Sequence, residues 1–110
     1  MIYKIEVLKS FKKDVKNLVK KYPHIDNDLR NFFKNLAQGN IIGDRIQGLN
    51  DEIYKARLKS TDNNKGKSGG FRVIYKVKRK ELIIYFIEVY SKAKKSNTSN
   101  AEIKARLLNK

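Results

Sequence analysis

Cysteine is absent from this chain, which removes disulfide bonds, thiol nucleophiles and thiolate metal sites. Histidine occurs once, at His24, so a histidine metal cluster lacks the residues it needs, and a Ser/His/Asp set would have to use this one residue. His24 follows the only proline, Pro23, at a helix start and reads as a solvated surface residue. Acidic residues are few, 11 against 26 Lys and Arg, and they are scattered. That speaks against a paired-carboxylate hydrolase and against a carboxylate-held metal. No apolar run approaches the roughly 20 residues of a membrane span, and the N-terminus has no signal-peptide pattern. A cytoplasmic protein with no metal, no cofactor and no membrane partner is the expectation.

What is present is positive charge on a foldable background. The net charge is +15, and 40% of the 110 residues are hydrophobic. A chain of this length makes one domain, residues 1–110, and has enough apolar content for one core. The charge favours an anionic partner, nucleic acid first.

The apolar periods give an α+β order. Ile2–Leu8 alternates like a half-buried strand. Ser10 is placed to cap a helix carrying Phe11, Val15, Leu18, Val19 and Tyr22 at helical spacing. Pro23 ends it and opens a second helix with Ile25, Leu29, Phe32, Phe33 and Leu36, which stops near Gly39. After a connector, Ile53–Lys59, Phe71–Lys78 and Leu82–Tyr90 read as strands. Asn100–Leu108 reads as a short closing helix. The expected fold is an N-terminal strand and a two-helix hairpin packed on one face of a small twisted antiparallel sheet, with a short C-terminal helix.

The chemistry concentrates between Lys55 and Arg79, where nine Lys/Arg face a single acid, Asp62. Strand alternation points Lys55, Arg57 and Lys59 to one side. It does the same for Arg72, Lys76 and Lys78, away from Phe71, Val73, Tyr75 and Val77. If the two strands are neighbours, these sides merge into one cationic surface suited to a polyphosphate. The glycine-rich Gly66–Gly70 stretch lacks the spacing and following helix of a P-loop. RNA cleavage by its own 2′-hydroxyl needs a base, a stabiliser of phosphorane charge and an acid for the leaving 5′-oxygen. Arginine clamps phosphate but stays protonated; lysine serves as base where other cations crowd it, as Lys55 is crowded by Arg57 and Arg72. Binding without chemistry is the plainer reading of the same face. Tyr75 shares the apolar side of its strand. By simple alternation Tyr85 goes with Ile83, Ile87 and Val89, and Tyr90 with Leu82, Ile84, Phe86 and Glu88. Tyr90 ends its strand beside a basic loop and is a candidate for stacking on a base.

The segments Gly43-Asp44-Arg45-Ile46-Gln47-Gly48-Leu49, Ile53-Tyr54-Lys55-Ala56-Arg57, Lys65-Gly66-Lys67-Ser68-Gly69-Gly70-Phe71-Arg72-Val73-Ile74-Tyr75 and Val89-Tyr90-Ser91-Lys92 resemble the RelE/ParE toxin superfamily. The Lys-Gly-Lys-x-Gly-Gly-x-Arg loop is similar to its HigB-type branch. The resemblance implies a bacterial toxin of a type II toxin–antitoxin pair, with a small twisted sheet and two helices on one face. Many members enter the ribosomal A site and cut mRNA there. Carried over, Lys55 and Arg57 match two basic strand positions, Arg72 the arginine expected at the scissile phosphate, and Lys92 a basic position after the last strand. Ala93 and Ser99 stand where family members carry an arginine and a tyrosine, which makes Tyr90 a candidate substitute. The expected catalytic set is therefore Lys55, Arg57, Arg72, Tyr90 and Lys92. Lys59, Lys65, Lys67, Lys76, Lys94 and Lys95 are the expected RNA-binding lysines. Expected partners are the 70S ribosome, its rRNA and mRNA, and an antitoxin with an acidic or disordered segment; the free toxin is expected to be a monomer. A ParE-like poison of DNA gyrase and a plain RNA-binding module are the alternatives.

Overall fold

A computed structural model describes residues 2–62 and 69–109. The order is β1 (Lys4–Val7), α1 (Lys9–Leu18), α2 (Ile25–Ala37), β2 (Asp44–Arg45), β3 (Ile53–Leu58), β4 (Phe71–Lys78), β5 (Ile83–Ser91) and α3 (Asn100–Leu108). These form one five-stranded sheet in the order β1-β5-β4-β3-β2. β1 runs parallel to β5, while the other three pairings are antiparallel. The sheet is thus mixed rather than antiparallel throughout. No hairpin links β1 to β5, so turn chemistry carried no information about the direction of β1.

Helices cover both faces of the sheet, not one. On the first face, Phe11 of α1 and Leu29, Phe32 and Leu36 of α2 pack on Val73, Tyr75, Ile84 and Phe86. Aromatic rings dominate here: Phe33 and Phe86 lie 4.3 Å apart and Phe11 and Phe86 5.5 Å apart, centroid to centroid. Such pairs contribute about 0.5–1.5 kcal/mol beyond the burial of their area. On the second face, Ile103 of α3 joins Ile53, Ile74, Ile87 and Tyr90, with Leu49 and Leu107 at the margin. α3 is short, but a capping box fixes its start: the Ser99 hydroxyl accepts from the Glu102 amide at 3.1 Å.

Ser10 is not a cap. It lies inside α1, whose N-cap is Leu8, and its hydroxyl donates to the Ile87 carbonyl at 3.0 Å. That carbonyl is free because β5 bulges there. Ile74 pairs with Glu88 and Tyr75 with Phe86, so Ile87 has no opposite residue on β4. Arg106 of α3 donates to the same carbonyl at 3.2 Å, and Asp14 of α1 accepts from the Val89 amide at 3.1 Å. Asp14 also holds Arg106 through both guanidinium nitrogens, at 2.8 and 3.1 Å. Polar side chains of α1 and α3 thereby satisfy the backbone groups that the bulge and the end of β1 leave open.

Candidate nucleic-acid interface

The bulge decides which side chains share the second face. Before it, Tyr85 stands opposite Lys76; after it, Glu88 stands opposite Ile74 and Tyr90 opposite Arg72. The extra residue reverses the alternation within β5. Tyr85, Ile87 and Tyr90 therefore share one side, and Ile84, Phe86 and Val89 the other. This corrects the simple alternation, which grouped Tyr90 with Ile84 and Phe86.

Across the sheet, Arg57 stands directly opposite Arg72, and Lys55 opposite Ile74. Lys55, Arg57, Arg72 and Tyr90 are thus neighbours on the face carrying α3. Two glycines allow the backbone to come together here. A Cβ on Gly70, at φ +74°, would lie 2.6 Å from the Leu58 carbonyl oxygen. One on Gly43, at φ +102°, would lie 2.6 Å from that of Lys55. Both positions need the left-handed backbone and the missing side chain.

The cations differ in their surroundings. Arg57 is exposed. Arg72 is buried to 8% exposure, and its Nη1 donates to the Phe71 carbonyl at 3.2 Å and reaches the Gly69 carbonyl at 3.5 Å. Among the described residues no carboxylate pairs with either arginine. Like charges directly opposite in a sheet are destabilising, so this pairing opposes folding. Lys55 is half-buried, and its Nζ donates to Asn97 Oδ1 at 3.1 Å, which links β3 to the segment after β5. In that segment the Lys92 amide bonds to the Gly70 carbonyl at 3.0 Å, extending the β4–β5 register past Arg72. Its Nζ bonds to the Ser96 carbonyl at 2.5 Å. Lys59 and Lys94 are exposed, and Lys94 lines an opening with Asp14, Leu18, Tyr90 and Arg106.

Three expected residues stand differently. Tyr90 is 6% exposed within the second core, with Lys95 Nζ 5.4 Å above its ring centroid, so the ring is not open to a base. Among the described residues its hydroxyl has no hydrogen-bond partner. Burial, and then the Glu88 carboxylate, push that hydroxyl up from its ordinary pKa, so it is protonated at neutral pH. Lys95 is engaged by Glu88 at 3.0 Å and Glu102 at 2.6 Å, not turned outward. Lys76 is 5% exposed, far along the face, 3.8 Å from Asp51 and over the Tyr85 ring. Strand alternation gave the side of Lys76 but not its burial. Lys65 and Lys67 lie outside the described residues.

Sequence reasoning missed Glu88. It is 2% exposed, accepts from Thr98 Oγ1 at 2.7 Å and from Lys95, and lies 3.8 Å from Arg106. It anchors the 92–99 segment that carries Lys92 and Asn97. An acid within the otherwise apolar run Ile83–Tyr90 was the available signal. His24, expected to be merely solvated, is exposed but paired: Asp62 accepts from its amide at 2.8 Å and meets its Nδ1 at 2.6 Å. Among the described residues no group of His, Asp and Glu could hold a metal ion, and no helix is long and apolar enough to cross a membrane.

Fold and site define a small cationic α+β domain with two arginines opposite each other on one sheet face, Arg57 exposed and Arg72 buried, and no carboxylate paired with either among the described residues. The model of the family described as "RelE toxin of RelE / RelB toxin-antitoxin system" matches residues 5–108, and the chain belongs to that family. Among solved structures, an arginine double mutant of the E. coli toxin RelE in the free state matches at TM-score 0.57 and 19% identity. The match covers 99% of this chain and 97% of that one. Isolated E. coli RelE toxin in a P21 crystal form matches at TM-score 0.56 and 18% identity, over 98% and 99% of the two chains. No curated protein matches the sequence. The protein is a toxin of a toxin–antitoxin system, and its family implies an antitoxin partner.

Proposed function

We propose that this toxin is a ribosome-dependent endoribonuclease that cuts mRNA in the A site and so stops translation. The observation that supports it most directly is the cross-strand pair Arg57–Arg72, held without a carboxylate among the described residues. Uncompensated like charges weaken the fold and strengthen the binding of a phosphate placed between them. The 2′-hydroxyl attacks the adjacent phosphorus, and the bond from phosphorus to the 5′-oxygen breaks. Arg57 and Arg72 take up the charge that develops on the phosphorane oxygens. Lys55, Lys92 and Tyr90 are the members of the set able to exchange a proton, and of these Tyr90 is buried. We assign Lys55 to the 2′-hydroxyl and Lys92 to the leaving 5′-oxygen. Lys59 and Lys94 hold flanking phosphates, and Tyr90 supports Arg72 from beneath instead of stacking on a base.

The exposure of part of the site supports a dependence on the ribosome. Arg57 is exposed and Lys55 half-exposed, so the strand to be cut must be positioned from outside, and a decoding site does this. The test is a reconstituted translation reaction on a defined mRNA, with and without ribosomes, with new 5′ ends read by primer extension. Ends that appear only with translating ribosomes, in register with the A-site codon, support the reading. Intact mRNA with DNA damage would move the function to gyrase poisoning. Intact mRNA and no toxicity would leave an RNA-binding module.

A further inference from the structure

Six lysines lie between residues 9 and 21, and they do nothing for the site described above. Lys9, Lys12, Lys13 and Lys16 are on α1, and Lys20 and Lys21 follow in the turn after it. All six are exposed. Among the described residues none of them makes an ion pair; Lys21 lies over the Tyr22 ring at 5.6 Å. The only acid in this stretch, Asp14, is turned inward and held by Arg106. At about 100° per residue, the four helical lysines fall within one sector of roughly 100°. Phe11, on the other side of the helix, is 1% exposed in the first core.

This arrangement is unfavourable for the helix itself. Lys9/Lys13 and Lys12/Lys16 are i,i+4 pairs, and Lys9/Lys12 and Lys13/Lys16 are i,i+3 pairs. Like charges at these spacings destabilise a helix. The first turn holds no acidic residue, and Lys9 and Lys12 sit where the helix dipole disfavours cations, whereas Lys16 in the last turn is placed favourably. The N-cap makes no side-chain hydrogen bond. Local rules broken together, with no compensating contact, mark a surface shaped by an external partner. Four unpaired ammonium groups on one helix face are complementary to a phosphate backbone.

The position of the stripe separates it from the arginine pair. α1 packs on the face of the sheet that carries Phe86, whereas Arg57 and Arg72 lie on the face that carries α3. The inner side of α1 meets Phe33 and Phe86 through Phe11, away from the lysines.

We propose that the Lys9/Lys12/Lys13/Lys16 face of α1 is a second RNA-docking surface, which grips the phosphate backbone of ribosomal RNA while the opposite face receives mRNA. This rests on the ribosomal reading of the function and names the ribosome's anchoring contact. Binding by such a surface is electrostatic, and each phosphate neutralised adds about 0.9 to the magnitude of the slope of log affinity against log salt.

The experiment compares three full-length proteins binding purified 70S ribosomes over a salt series, with cleavage followed separately. They are the wild type, the Lys9→Gln/Lys12→Gln/Lys13→Gln/Lys16→Gln variant, and a control with Lys4, Lys34, Lys80 and Lys104→Gln. The control removes the same charge from exposed positions elsewhere. Glutamine is a good helix former, and circular dichroism checks that both variants fold. The expected result is a salt slope smaller by about 3 to 4 for the α1 variant, with little change for the control. The concentration of ribosomes needed for half-maximal cleavage rises, and the rate at saturation is retained. An unchanged slope overturns the proposal, as does an equal loss in the control. Loss of antitoxin binding with ribosome affinity intact overturns it too, and gives the face to a protein partner. If wild-type toxin binds ribosomes but cuts nothing, the endonuclease reading fails while the slope comparison still decides this one.

Discussion

Arg57 and Arg72 face each other across β3 and β4, and no carboxylate among the described residues stands between them or beside them. Arg72 is the more deeply set, with its Nη1 on the Phe71 carbonyl. Among the described residues its hydrogen-bond partners are carbonyls alone; a buried cation so placed is costly to keep, and its removal relieves Arg57 as well. Arg72→Ala should therefore lower ribosome-dependent cleavage about 10²–10³-fold, the usual effect of losing one donor to developing charge. Thermal stability should not fall. Full cleavage by this variant would remove Arg72 from the site; a collapse in melting temperature would make it structural.

Tyr90→Phe separates two roles for the same ring. The hydroxyl is buried without a hydrogen-bond partner among the described residues, which is unfavourable by about 1–3 kcal/mol. Phenylalanine keeps the packing against Ile74, Ile87 and Ile103 and removes the orphan group. The variant should be as stable as wild type or more stable in urea unfolding, with cleavage within a few-fold. A loss of two orders of magnitude would instead make the hydroxyl the proton donor to the leaving group.

Much of this fold was legible because period and turn chemistry are local. Phe71–Lys78 alternates except at Ile74 and appears as β4 with those bounds. Asn100–Leu108 likewise appears as α3. The features that shaped the site are non-local. The bulge at Ile87 depends on Ser10, Asp14 and Arg106 meeting its backbone from two helices, and no period within Ile83–Ser91 encodes that. It is this bulge that brings Tyr90 beside Arg72. Charge alone also misjudged Lys95. Its partner Glu88 is seven residues earlier, on the strand, and only the turn of the 92–99 segment brings the two together.

Gly70→Ala tests how closely β3 and the entry to β4 must approach. The residue sits at φ +74°, and an added Cβ would meet the Leu58 carbonyl oxygen at 2.6 Å. A backbone atom cannot move aside as a flexible side chain can, so the strain falls on the end of the β3–β4 pairing. Destabilisation of roughly 1–3 kcal/mol is expected in chemical unfolding. Cleavage should fall as well, because Gly70 also receives the Lys92 amide next to Arg72. Wild-type stability for Gly70→Ala would mean that this approach is looser than the geometry implies.

The pair His24–Asp62 ties the start of α2 to the segment after β3, and Asp28 strengthens the tie by accepting from the Thr61 amide at 3.0 Å. The hydrogen bond to Asp62 raises the His24 imidazole above its ordinary 6.5, with Asp28 adding to the attraction. The same bond lowers Asp62 below its ordinary 3.8. A histidine raised in the folded state contributes fully below its unfolded pKa, and the contribution disappears as pH rises through the folded value. For a lowered aspartate the contribution is present above the unfolded pKa and is lost as pH falls through the folded one. The tie is therefore complete from about pH 4 to about pH 6 and weakens on the alkaline side as His24 loses its proton. An NMR titration of the single imidazole should give a value above 6.5 in the wild type, and one that moves down toward the ordinary value in Asp62→Asn. A wild-type value at or below 6.5 would mean that the two side chains do not hold each other in solution.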